Sequence, residues 1–162
     1  MIRWPADLDP AVASLHVRNE LATELAPERI WPWLVHARRW SEFYPDAKRV
    51  RAPGPELAVG VRFTWWTLGI RVTTVIEELV PNERLAWRGT GLGAEGYHAW
   101  IFTRRGAGTQ LVTEETQRGL VPSVFRSRLE RNLLRCHQRW LEGLVRVAGL
   151  GHPDSLPAIP RS

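Results

Sequence analysis

The chain carries one cysteine, Cys136, one lysine, Lys48, and only four phenylalanines and two tyrosines. A single thiol excludes an internal disulfide framework, a paired-cysteine metal knuckle and an iron–sulfur cluster. No apolar run reaches the ~18–20 residues that a membrane-crossing helix needs, so no integral membrane association is expected. The opening residues, MIRWPADLDP, lack the basic-then-apolar profile of a secretory signal, which makes a cytoplasmic protein the default. With 44% hydrophobic and 24% charged residues, neither disorder nor a coiled coil fits. The net charge of +5 comes almost wholly from arginine. No helix-turn-helix, zinc or RNP pattern accompanies it, so nucleic acid is not the expected partner.

What the chain has in abundance is tryptophan, nine in 162 residues. That composition implies a core, or a pocket, built from large amphipathic rings. The length suits one domain. Residues 1–13 read as an extended N-terminal arm, 14–148 as the folded domain, and 149–162, with Pro153, Pro157 and Pro160, as a flexible or loosely docked tail.

Residues 14–22 alternate Leu15, Val17, Asn19 and Leu21 with polar neighbours, the period of a strand. Pro27 and Glu28 then open a short helix over 27–37, bent at Pro32, and a second short turn follows near Trp40–Tyr44. Six strand candidates punctuated by Gly and Pro fill 48–119, and one long amphipathic helix is expected over 121–148. A curved antiparallel sheet gripping that helix accounts for this order, because only the long helix can cover the sheet's apolar face.

Turn lengths give the register. A two-residue turn at Pro81-Asn82 pairs Ile76 with Trp87 and Glu78 with Leu85. Leu68-Gly69 pairs Trp65 with Val72 and Phe63 with Thr74, leaving Trp66 outward, where Arg71 can stack on it. An even loop over 105–108 pairs Phe102 with Leu111, Trp100 with Thr113 and His98 with Glu115; a three-residue loop would shift all of these by one. An inward row then runs Val61, Ile76, Trp87, His98, Glu115. On the helix, Phe125, Leu129, Leu133, Cys136, Trp140, Leu144 and Val147 form the buried stripe. Arg126, Glu130 and His137 interrupt its shoulder, with Arg126 and Glu130 spaced for an i,i+4 pair.

The segment 97–102 (YHAWIF), then 108–115 (GTQLVTEE), then a long helix, resembles the START-like helix-grip (SRPBCC) superfamily, in its polyketide cyclase/dehydrase-like branch. Residues 21–34 (LATELAPERIWPWL) and 75–87 (VIEELVPNERLAW) sit where that family has its first strand and helix and its central hairpin. The resemblance covers 14–148 and implies an α+β helix-grip fold: a curved seven-stranded antiparallel sheet wrapped around the C-terminal helix, with two short helices after strand 1 and a hydrophobic cavity between sheet and helix. Members include lipid and sterol carriers, aromatase/cyclases and partner-activating domains, and no fixed catalytic motif transfers.

Three functions follow. The first is binding of a small hydrophobic or aromatic molecule, lipid or polyketide-like, in the cavity; such pockets are mostly apolar with few polar groups. The candidate lining is Phe63, Trp65, Ile76, Trp87, His98, Trp100, Phe102, Glu115, Arg126, Leu133, His137 and Trp140. The second is a cyclase or dehydratase, with His98 as general acid/base and Glu115 orienting it. The third is an interaction domain for a protein partner, and a homo-oligomer also stays open. For each polar residue there is a plain structural alternative: a water-satisfied cross-strand contact for His98–Glu115, a core-edge histidine for His137. No cofactor is expected, and no metal, because the five histidines are scattered and only His98 and Glu115 converge.

Overall fold

The computed structural model describes residues 2–159. The elements run β1 (Leu15–Thr23), α1 (Pro27–Val35), a 3-10 turn (Ala37–Glu42), β2 (Lys48–Arg51), β3 (Arg62–Thr67), β4 (Ile70–Val80), β5 (Arg84–Gly91), β6 (Ala94–Arg105), β7 (Gly108–Gly119), α2 (Leu120–Val124) and α3 (Arg126–Leu150). The strands form one antiparallel seven-stranded sheet in the order β1-β7-β6-β5-β4-β3-β2. This is the α+β helix-grip architecture: α3 and α1 cover the inner face, whose core includes Trp33, Trp40, Trp65, Trp87, Trp100 and Trp140. Among the described residues, no helix is long and apolar enough to cross a membrane.

Two hairpins have the register that their turns dictate. Leu68 and Gly69 both take positive φ, 50° and 80°, as a tight primed turn requires, and Trp65 faces Val72. The even loop at 105–108 sets Phe102 opposite Leu111 and His98 opposite Glu115. The β4–β5 turn differs. Glu83 N–H bonds the Val80 carbonyl at 3.0 Å and Val80 pairs with Arg84, so the loop has three residues. Proline cannot take the positive φ that a primed two-residue turn demands at its first position. Pro81 followed by Asn82 at φ 62° is instead the type II combination. Glu78 therefore faces Ala86 rather than Leu85, and an irregularity between Ile76 and Glu78 restores the pairing of Ile76 with Trp87. The inward row is intact from Ile76 to Glu115. Val61, just before β3, accepts from the Ile76 N–H.

The single helix expected over 121–148 is two. Phe125, at φ −109° and ψ 24°, ends α2 and caps α3. The break shifts the phase of the stripe and turns the Phe125 ring into solvent, while Leu133, Cys136, Trp140, Leu144 and Val147 stay buried. Arg126 and Glu130 form no ion pair among the described residues; an exposed i,i+4 pair stabilises by only ~0.2–0.5 kcal/mol, too little to fix two long side chains. The cation over Trp66 is Arg49, 5.8 Å from the ring centroid, rather than Arg71.

The described segments before β1 and after α3 both dock on the domain. The N-terminal arm contains a 3-10 turn, Ala6–Leu8, that buries Leu8 with Ala86, Tyr97 and Ala99 on the outer face of the sheet. Asp7 pairs there with Arg88 and Arg118, and Thr116 donates to the Leu8 carbonyl. At the other end, Trp33 Nε1–H donates to Gly151 O at 2.7 Å. Arg39, 4.6 Å over the Trp33 ring, donates to the carbonyls of Pro153, Leu156 and Pro157. These charge-assisted bonds hold residues 151–157 against α1. Pro160 lies outside the described residues.

Helix α3 reaches the chamber wall through one glycine. A Cβ on Gly143 would meet the Phe43 carbonyl oxygen at 2.0 Å, a backbone atom that cannot swing aside. Gly143→Ala gains up to ~1 kcal/mol of helix propensity but must push α3 off the Phe43 backbone. The expected outcome in urea unfolding is a net loss of roughly 1–3 kcal/mol; unchanged or raised stability would mean that α3 does not seat there.

Candidate functional site

Strand period places His98 on β6 and Thr113, Glu115 and Gln117 on β7, all facing the helix. His137 reaches the same point from α3, four residues after Leu133 and three before Trp140, on the buried stripe. Glu115 Oε2 lies 3.3 Å from His98 Nδ1 and 3.0 Å from His137 Nε2. Glu115 Oε1 accepts from Gln117 Nε2 at 2.5 Å. His98 Nε2 and the Thr113 hydroxyl are hydrogen-bonded at 2.6 Å. The two imidazoles stack at 4.6 Å, and His98 is flanked by Trp87, Trp100 and Trp140. Glu114, next along β7, is on the outer face with His16 and Arg18.

The cluster is buried, and burial governs its charge. Loss of hydration pushes the His98 imidazolium down to about 3, reinforced by neighbouring His137 and opposed by Glu115. Burial raises the Glu115 carboxyl, but the His137 hydrogen bond and the nearby imidazoles outweigh it and bring it down to about 2. At neutral pH the site holds a carboxylate beside a neutral His98. Among the described residues, no arginine or lysine is within ion-pair distance of Glu115.

Next to the cluster is a pocket of about 90 Å3. Of the residues expected to line a cavity, Trp65, Trp87, His98, Glu115, Leu133, His137 and Trp140 do so, together with Tyr44, Leu68, Ile70 and Val72. Phe63, Ile76, Trp100 and Phe102 are packed in the core instead, and Arg126 is exposed on the first turn of α3. Trp40 contacts Phe63, Trp65, Trp87 and Trp140, filling the chamber's far half. Trp140 Nε1 and His137 Nδ1 are buried and have no hydrogen-bond partner among the described residues.

The sequence offers His137 beside the pair only as an alternative to Arg126, and gives no sign that three metal-capable groups converge: ligand atoms of His98, Glu115 and His137 all lie within 4.8 Å of one another. The missing signal was available in part. Thr113 and Gln117 are two residues either side of Glu115 on one face, and His137 shares a stripe with Trp140.

The sheet wrapped around α3, with its polar cluster inside the grip, defines a helix-grip protein whose chemistry faces the interior. The family described as polyketide cyclase / dehydrase and lipid transport matches residues 14–150, and the chain belongs to it. No curated protein matches the chain. Among solved structures, the hypothetical protein jhp0584 of Helicobacter pylori is 28% identical with a TM-score of 0.84, over 91% of this chain and 96% of that one. TTHA0849 of Thermus thermophilus is 16% identical, with a TM-score of 0.72 over 83% and 97%. The Zhui aromatase/cyclase of Streptomyces sp. R1128 is 20% identical, with a TM-score of 0.69 over 83% and 93%. The last two share the fold.

The charge state carries a pH signature. His98 titrates near 6.5 when unfolded and about 3 when folded, so between those values the unfolded chain binds more protons and stability falls with falling pH. Glu115, at 4.5 unfolded and about 2 folded, has the same sign in a lower window. Thermal unfolding of chelator-treated protein should show a loss on the order of a few kcal/mol from pH 7 to pH 4. His98→Gln should remove the part above pH 4.5. An unchanged slope in that variant would mean that folding does not shift the His98 titration.

Proposed function

We propose that the protein binds a small aromatic or polyketide-like molecule, one end of which enters the pocket between the sheet and α3. The observation that carries this reading is the pocket itself: indole walls from Trp65, Trp87 and Trp140, and a carboxylate–imidazole cluster at one side. Its size limits the ligand. A volume of about 90 Å3 is below the ~150 Å3 of a cavity that takes benzene. Sites for whole drug-sized molecules start near ~300 Å3. A larger ligand therefore seats only its tip, and the rest leaves past Leu68 and Ile70 of the β3–β4 hairpin. The tip carries a hydroxyl or carbonyl rather than an acid, because a second carboxylate beside Glu115 would be repelled.

A second reading, a cyclase or dehydratase, draws on the convergence of His98, Glu115 and His137. Two imidazoles sharing one carboxylate can take a proton from one substrate position and return it at another. Carrier and enzyme separate on one variant: His98→Gln abolishes turnover with affinity retained in the enzyme, and changes affinity alone in the carrier.

Titrating naphthols and aryl ketones against tryptophan fluorescence tests binding directly. The expected outcome is saturable quenching or shift by at least one of them. Ile70→Trp, which narrows the mouth at a half-buried position, should weaken it by at least about tenfold (~1.4 kcal/mol) with the melting temperature unchanged. No saturable response, or the same affinity in Ile70→Trp, would remove the pocket as the binding site.

A further inference from the structure

We propose that His98, Glu115 and His137 form a binding site for one divalent transition-metal cation of the zinc or ferrous type. Two imidazoles and one carboxylate are the donor set of catalytic zinc sites and of non-haem iron sites, and both keep a position open for water or substrate. The distances suit it. Around a cation with bonds of ~2.0–2.2 Å, neighbouring ligand atoms stand roughly 3.0–3.4 Å apart in octahedral or tetrahedral geometry. Glu115 Oε2 is 3.0 Å from His137 Nε2 and 3.3 Å from His98 Nδ1, and all three ligand atoms fall within 4.8 Å.

The outer partners are those of a built site. A metal-bound histidine is oriented through its other ring nitrogen, and His98 Nε2 is held by the Thr113 hydroxyl at 2.6 Å. With Nδ1 on the cation, Nε2 keeps the ring proton and donates to Thr113. Gln117 Nε2 fixes the second carboxylate oxygen of Glu115, leaving Oε2 for the cation. His137 Nδ1 has no partner among the described residues, so none of them locks that ring's tautomer. With Nε2 on the cation the ring proton is on Nδ1, which leaves one buried N–H without a partner among the described residues. A cation also supplies the positive charge that the buried carboxylate lacks, since no arginine or lysine among the described residues pairs with it. The open coordination position falls on the pocket, which the three residues line together.

The test uses full-length protein stripped with a chelator, dialysed against Zn2+ or Co2+ and measured for bound metal and for the visible spectrum of the cobalt form. One equivalent is expected, with ligand-field bands and proton NMR signals shifted by cobalt from two imidazoles. His137→Gln keeps a donor to Glu115 but loses the imidazole, and Glu115→Gln loses the anionic ligand. Each should weaken binding by at least about tenfold, and Thr113→Val by about tenfold. His16→Ala, on the outer face, should bind as wild type does. Near-ultraviolet circular dichroism of the tryptophans establishes that each variant is folded. If a variant does not fold, the shifted imidazole signals of the wild type decide alone. No saturable binding by the wild type, shifted signals from fewer than two imidazoles, or equal affinity in folded His137→Gln and Glu115→Gln would overturn the proposal.

Discussion

Trp140 is the side chain on which the interior depends. It stacks on Tyr44 at 4.3 Å, meets the rings of Trp40, Trp65, Trp87 and Trp100, and sets its edge against His98. One residue thereby ties α3 to the sheet and to the turn after α1. An aromatic ring buries ~150–250 Å2, worth roughly 4–6 kcal/mol at ~25 cal/mol per Å2. Several such rings around one point outweigh the cost of placing a carboxylate and two imidazoles among them, which is several kcal/mol per buried ion. The polar cluster exists where it does because the indoles around it are rigid and close-packed.

The same packing sets what the interior can take. A helix-grip chamber lined by leucine and valine could hold an entire hydrophobic molecule. Here the indoles occupy that volume, and what remains is a pocket of about 90 Å3 beside a carboxylate. On the proposed reading, recognition rests less on apolar area than on the few atoms that reach Glu115, His98 and His137. Both the ligand reading and the metal reading follow from that geometry, and they differ in which species completes the cluster.

Much of this was legible in the sequence, for reasons that can be traced. Period-two alternation and the even loop at 105–108 placed His98 opposite Glu115 without reference to any tertiary contact. Ile76 opposite Trp87 came out right although the Pro81-Asn82 turn is one residue longer than expected, because the irregularity at Glu77 compensates for it. Two local deviations cancelled, and only Glu78 and Leu85 record them. The break at Phe125 left no signal in hydrophobic period, since Phe125 and Leu129 fit the stripe in phase. His137 was legible as inward but not as a partner of Glu115, because helix phase fixes a direction around the axis and not which strand residue lies opposite. The pocket's size was hidden for a similar reason: it depends on how five or six rings interlock, and composition gives only their number.

The central claim is that one carboxylate, Glu115, bridges two imidazoles from sheet and helix, while its neighbour Glu114 serves the outer face. Long-range proton–nitrogen NMR of the histidine side chains reads this directly. Glu115→Gln should move the ring nitrogens of both His98 and His137 and leave His16 unchanged, whereas Glu114→Gln should move His16 alone. A response of His98 without His137, or of neither, to Glu115→Gln would contradict the account, because the cluster would then not be a single site.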